Sequence, residues 1–417
     1  MERIMNKIYI KSAVILFIVL LLQEFVLLSQ AGASNPPLFK VGVRSAVLLD
    51  ASSGQVIFEQ NSDEEIAPAS LAKLLTLYLS YDALKMGLVS PDDKALVSEK
   101  AWATKGSKMF IEVGKRVELK KLLEGIASIS GNDACVAVAE YLAGLEEVFV
   151  GRMNEKARSL GMVHSQFKNV NGLPAKSQYT TASDIGMLAY HYLKDHPEAL
   201  EIHSIKKFTF GGITQYNRNG LLWLDEGVDG LKTGWINDNA GFHLVATAKR
   251  DSQRFIVVVM GAKNQRTREN EALKLLNYGF KNFSTVKVFE KGDAIETISV
   301  WKGKSNQVPL ITAEPGVVTV PIGEEQTLSL IKRIPKRIFA PVDREEKIGE
   351  LVIAMDGKPI KEVALIVQDE VPSGNLIKLL VHTTLLSFIL PPYVGWIVLL
   401  VLLLLVVVAS AIKRKAK

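Results

Sequence analysis

The sequence predicts a body that mixes α-helices with β-hairpins, then a small all-β domain, then a C-terminal helix that crosses a membrane. Three observations carry this. Hairpin signals and helical periodicity alternate up to Phe283. Beyond it come short β-prone runs divided by Gly, Pro and charges. Near the end, Val394 to Ile412 is an uncharged and almost wholly apolar stretch. At 417 residues, 48% hydrophobic and 23% charged, the chain can bury one large core or two moderate ones, which excludes wholesale disorder and a collagen-like repeat.

Taken in order, Met1 to Lys11 is short and basic, Ser12 to Leu22 is apolar, and Ala31-Gly32-Ala33 has the small-residue pattern of a cleavage site. Residues 1–33 therefore read as a secretory signal peptide cut before Ser34. The rival is an uncleaved anchor, prolonged past Gln23 and Glu24 by Phe25 to Leu28. Two β-rich runs flank Asp50-Ala51-Ser52-Ser53-Gly54 and predict a hairpin from Ser45. Ala69 to Met86 reads as a helix whose first turn follows Pro68, and Leu119 to Leu145 as helical with a break at Ser130-Gly131-Asn132. Phe242–Ala248 and Phe255–Met260 predict a second hairpin, and Arg266 to Phe283 has helical spacing of Leu273, Leu276 and Phe280.

The change of texture places a boundary near Thr285, giving domains at 34–284 and 285–372. Residues 373–392 read as a linker or a membrane-surface amphipathic helix, stopped by Pro391-Pro392. Residues 393–412 form the expected span: at 1.5 Å per residue, Val394–Ile412 reaches about 28 Å. The basic tail 413–417 then points to the cytoplasm, with Tyr393 and Trp396 at the outer interface. Both ends imply an exported body tethered to the outer face of the cytoplasmic membrane. Lys413, Arg414, Lys415 and Lys417 supply four of the six net positive charges, so the body is near neutral and no nucleic-acid partner is expected. Cys135 is the sole cysteine, which excludes an intramolecular disulfide and reads as a small buried hydrophobe. The six histidines show no ligand spacing, so neither metal nor cofactor is expected.

Chemistry enters at Ser70-Leu71-Ala72-Lys73. A hydroxyl and an amine at i and i+3 share a helix face, about 5–6 Å apart at Cβ. Desolvation and a neighbouring cation can lower the lysine's pKa until it takes the serine proton. Ser130-Gly131-Asn132 adds a hydroxyl that can relay a proton and an amide that can hold a substrate carbonyl. Lys232-Thr233-Gly234 adds a fixed cation, a hydroxyl and a glycine that substrate backbone could approach closely. Each pattern alone is weak: Ser-Gly-Asn recurs at 373–375, and Ser165/Lys168 repeats the first spacing. Their order along one folded domain is specific.

With these motifs, and with Asn171-Gly172-Leu173 and Asp229-Gly230-Leu231 beside them, the chain from about Ala46 to Asp369 resembles the low-molecular-mass penicillin-binding proteins of the serine D-Ala-D-Ala carboxypeptidase family. The resemblance implies an α/β (α+β) penicillin-binding, transpeptidase-like domain, an antiparallel sheet with helices on both sides, standing on the all-β module. It implies that Ser70 is acylated by peptidoglycan stem peptides or by β-lactam antibiotics. Lys73 would be the general base and Ser130 the proton relay. Asn132 would bind the substrate amide. Lys232 would keep the potential positive and depress the Lys73 pKa, and Thr233 and Arg268 would meet the terminal carboxylate. The N–H groups of Ser70 and Trp235 would form the oxyanion hole. Arg268 also reads as a solvated first-turn arginine, and Asp184 as a helix-start cap. The chain departs from the family pattern at Asn171, where some relatives carry a histidine, and at Trp235.

The expected activity is removal of the terminal D-alanine from stem pentapeptides. A β-lactamase would need a glutamate to activate water, and none lies between Glu155 and Glu198. The alternatives are a DD-endopeptidase with the same residues and a catalytically idle scaffold.

Overall fold

A computed structural model describes residues 40–237, 240–375 and 400–401. The expected signal peptide, all but Leu400 and Val401 of the membrane span, the basic tail and all but the first residues of the linker lie outside the described residues. Among the described residues no helix is long and apolar enough to cross a membrane. The described residues from Gly42 to Asn375 belong to one compact unit, with one hydrophobic core among the helices and the first sheet and another in the β-rich part.

The first core is built on a five-stranded antiparallel sheet. Its strands are β1 (Ser45–Asp50), β2 (Val56–Gln60), β3 (Val228–Ile236), β4 (Gly241–Arg250) and β5 (Gln253–Ala262), in the order β2-β1-β5-β4-β3. Both expected hairpins are present. The second extends to Arg250 opposite Gln253, so its turn is only Asp251-Ser252, with Asp251 at φ +52°. Strand β1 pairs with β5 from Ser45 opposite Met260 to Asp50 opposite Phe255, closing the sheet around residues distant in sequence.

Helices cover both faces because successive strand side chains point opposite ways. Helix α1 (Lys73–Lys85), α2 (Leu119–Ser128), α3 (Asn132–Ala143), α4 (Glu146–Ser159) and α5 (Ala182–Asp195) share the core of Val47, Leu49 and Val258. Helix α6 (Gln265–Asn282) takes the other face, where Gly279 lies against Leu48 and Phe255. Helix α1 has little amphipathic pattern because it is enclosed: Leu74, Leu75, Leu77 and Tyr78 are all fully buried. Each such apolar side chain contributes about 1.5–3 kcal/mol, which offsets the cost of burying Lys73 at the helix start.

Helix α6 ends at Asn282 and β6 (Phe283–Phe289) begins at the next residue; Thr285, where the texture changes, lies inside β6. The remaining strands are β7 (Ala294–Trp301), β8 (Gln307–Thr312), β9 (Gly316–Pro321), β10 (Leu328–Arg333), β11 (Arg337–Phe339), β12 (Lys347–Met355) and β13 (Lys358–Val367). They form a β6–β9 pair and a six-stranded sheet ordered β10-β12-β13-β8-β7-β11, antiparallel except for β7 with β11. Leu310, Val318, Leu351 and Val363 fill their own core. Pairing reaches Ser373, which bridges to Gly303. At the junction with the first core, the Ser53 hydroxyl lies 2.7 Å from that of Thr319, and Gln253 donates to the Thr285 hydroxyl at 2.9 Å.

Candidate active site

Pro68 opens a 3-10 turn, Ala69–Ala72, that runs directly into α1 at Lys73. Ser70 therefore stands in the 3-10 turn, and Lys73, three residues on, is the first residue of α1. Lys73 Nζ donates to Ser70 Oγ at 2.9 Å and to the Asn171 carbonyl at 2.6 Å. The amine is fully buried, and burial lowers its pKa to about 8. Cys135 and Asp133 oppose the shift, and the Arg218 guanidinium adds to it. The neutral form is thus well populated just above neutral pH.

Ser130 sits between α2 and α3 at φ +63°, a left-handed conformation that turns its hydroxyl toward Lys232. Lys232 Nζ donates to Ser130 Oγ and to the Thr233 carbonyl, each at 2.9 Å. Burial pushes the Lys232 pKa well down, and repulsion from Lys73 and Arg218 pushes it further. The sequence reading expected Lys232 to be the cation that depresses Lys73. The Lys73 charge acts on Lys232, but at Lys73 burial dominates and the cation that adds to it is Arg218, which the reading missed.

Asn132 starts α3. Its side-chain Nδ2 donates to the Lys105 carbonyl at 2.6 Å, its backbone N–H donates to Ser107, and its Oδ1 is buried with no protein partner. An amide N–H of a ligand would satisfy that oxygen. The neighbouring Asp133 carboxylate accepts from the backbone N–H groups of Met109, Phe110 and Ile111, so loop 105–111 is fastened to the start of α3. Gly106 makes room for this: a Cβ there would meet the Asn132 amide at 2.5 Å.

Strand β3 is an edge strand of the sheet, and its Lys232-Thr233-Gly234 segment borders the Ser70 turn. Gly234 was expected to admit substrate backbone. It lines the cleft, but the side where a Cβ would stand is filled by Ala69 and His243, at 3.1 and 3.3 Å. The approach that demands glycine is made by the protein's own Ser70 turn. Trp235 is half exposed and its ring lies 5.9 Å from Phe242, forming one wall.

Arg268 is buried, which excludes a solvated first-turn arginine. Its guanidinium donates to Glu269 at 2.9 Å and to the Arg218 carbonyl at 3.1 Å, while Nε has no partner. Asp184 is not among the residues that line the cleft, and it does not cap its helix. Thr181 accepts the Asp184 N–H, and the Asp184 carboxylate holds the His164 N–H and the Ser165 hydroxyl. Cys135 is buried, its Sγ 3.0 Å from the Val170 carbonyl, and burial pushes its pKa to about 11.

Ser70 and Ser130, each held by a buried lysine, open on one cleft of about 390 Å³. Ser70, Ser130, Thr233, Gly234, Trp235 and Arg268 line it, together with Phe242, Gln265 and three residues absent from the sequence reading, Ser107, Asn217 and Arg218. Among the described residues no carboxylate lines it. A serine hydroxyl, a buried amine and a positive field without a water-activating acid suit acyl transfer to Ser70.

The D-alanyl-D-alanine carboxypeptidase family matches residues 30–264, and the C-terminal domain of penicillin-binding protein 5 matches residues 283–373. This chain belongs to the D-alanyl-D-alanine carboxypeptidase family. It is a low-molecular-mass penicillin-binding protein and a serine hydrolase. It is 40% identical over 343 residues to D-alanyl-D-alanine carboxypeptidase DacC of Escherichia coli (strain K12), covering 80% of this chain and 86% of that one. To DacA of the same strain it is 38% identical, covering 83% and 90%. Penicillin-binding protein 5 from Haemophilus influenzae superposes with a TM-score of 0.76 at 36% identity, over 82% of this chain and all of the other.

Proposed function

We propose that this penicillin-binding protein removes the terminal D-alanine from peptidoglycan stem pentapeptides through an acyl-enzyme on Ser70. The observation that carries the reading is the paired geometry of two buried amines on two hydroxyls: Lys73 on Ser70 and Lys232 on Ser130, each at 2.9 Å, in one cleft. Neutral Lys73 takes the Ser70 proton as Oγ bonds to the penultimate D-alanine carbonyl. The backbone N–H groups of Ser70 and Trp235 receive the oxyanion. As the C–N bond breaks, Ser130 passes a proton to the leaving nitrogen, replenished from the lysine pair. Asn132 Oδ1 orients the donor amide, and Thr233 and Arg268 bind the departing carboxylate. Water then attacks the acyl carbonyl, and Ser70 regains its proton. A β-lactam ring would open on the same hydroxyl.

The reading includes export through the signal peptide at 1–33 and anchoring by residues 393–412, which would hold the cleft on the outer face of the cytoplasmic membrane. The composition of those segments supports it.

The test is release of D-alanine from a defined pentapeptide by the full chain in detergent, with a cross-linked muropeptide dimer alongside. Release from the pentapeptide that Ser70→Ala abolishes supports the proposal. Cleavage of the dimer alone would replace it with the endopeptidase reading.

A further inference from the structure

The strand that carries Lys232 is gripped just before the lysine by a histidine outside the cleft lining. His203 ends a short helix (Leu200–His203) and is fully buried. Its Nδ1 lies 2.8 Å from the Leu231 carbonyl oxygen, and its Nε2 lies 3.2 Å from the Tyr192 hydroxyl. A carbonyl can only accept, so Nδ1 bears the proton, and Nε2 then accepts from the Tyr192 O–H. Both nitrogens are committed and the ring is neutral. Burial lowers its pKa to about 4 against the Leu231 bond, and the Lys232 charge acts in the same direction as burial.

The surroundings hold the ring in register. A Cβ on Gly230 would lie 3.2 Å from His203 Cβ, so glycine lets the histidine sit against the strand. Asn219 Nδ2 donates to the Gly230 carbonyl at 3.1 Å, and Asn217 Nδ2 donates to the carbonyl of His203 itself at 3.2 Å. Asn217 also lines the cleft. Two consecutive carbonyls of β3, at 230 and 231, thus end on side chains, and the next residue is the lysine on Ser130. A histidine present only to fill the core would not require a donor at one ring nitrogen and an acceptor at the other.

We propose that His203 is a positioning residue for acyl transfer: its Nδ1–H holds the Leu231 carbonyl and so fixes the backbone from which Lys232 reaches Ser130. The proposal rests on the acyl-enzyme reading of the cleft.

Two measurements on the full chain in detergent test it. The first is the rate of benzylpenicillin acylation against pH for the wild type, His203→Asn, His203→Gln and His203→Leu, with melting temperatures. Asparagine keeps a donor where Nδ1 stood; glutamine and leucine do not. The expected result is that His203→Asn acylates within about threefold of wild type while the other two lose about tenfold or more. Equal rates for all variants, or an equal loss for Asn and Leu with unchanged melting, would overturn it. The second is the nitrogen spectrum of histidine-labelled wild type, which needs no variant to fold. A neutral Nδ1–H tautomer at position 203 supports the proposal, and an Nε2–H tautomer refutes it. A wild type that takes no penicillin would sink the acyl-enzyme reading, while the tautomer still decides the contact.

Discussion

A Cβ built on Gly172 would lie 1.7 Å from the carbonyl oxygen of Ala69, the residue before the proposed nucleophile. The two segments touch through bare backbone. Gly172 is at φ +79° and Ala69 at φ +48°, and the preceding Asn171 carbonyl accepts from Lys73. Gly172→Ala must therefore push the loop away from the Ser70 turn or distort the turn. We expect acylation to fall about 100-fold. Stability should fall by about 1–3 kcal/mol from the left-handed alanine and the displaced contact. Stopped-flow labelling with a fluorescent penicillin and a thermal melt check both, and near-wild-type labelling would mean that the loop does not fix the turn.

Because the Lys73 pKa is about 8 and the neutral amine is the proposed base, acylation should rise with pH. The logarithm of the rate should climb with unit slope from pH 6 and level off near pH 8. A profile flat over this range would show that Lys73 is not the titrating base.

Asp133 holds three backbone N–H groups of loop 105–111, and an amide in its place can accept on one side only. Asp133→Asn should cost about 1–3 kcal/mol, because buried N–H groups lose their partner. It should also raise KM for the pentapeptide more than it lowers kcat, since Asn132 and Ser107 border the same loop. A change in kcat alone would place Asp133 elsewhere in the mechanism.

His203 and His243 are buried, with pKa values held near 4 against 6.5 in the unfolded chain. The unfolded state binds protons first on acidification, so stability is complete above about pH 6.5 and is lost as pH falls toward 4. Each histidine accounts for up to about 3 kcal/mol of that loss. Urea titrations at pH 7 and pH 4.5 should show the decline, and His243→Gln should flatten it.

The sequence made the skeleton legible where local rules are strong. The Asp50–Gly54 turn, the break at Ser130-Gly131-Asn132 and the period of α6 each leave a short-range pattern. The three motifs likewise marked Ser70, Ser130 and Lys232, which the fold brings together. Arg218, Ser107 and the Asn171 carbonyl left no such mark, because they enter the cleft through long-range packing or through backbone atoms that no spacing encodes. At Gly234 a second close approach, that of the Ser70 turn across the strand, left no mark for a related reason. Of the two readings of Arg268, carboxylate partner and solvated arginine, burial removes the second, and spacing could not show it because the surroundings include Arg218, 50 residues away in sequence.

Mass analysis of the full chain after exposure to benzylpenicillin, followed by peptide mapping, tests the central claim most directly. A single added penicilloyl group on the peptide containing Ser70, absent in Ser70→Ala and formed at least about 100-fold more slowly in Lys73→Met, is the result these contacts require. No adduct, or an adduct on any other residue, would contradict it.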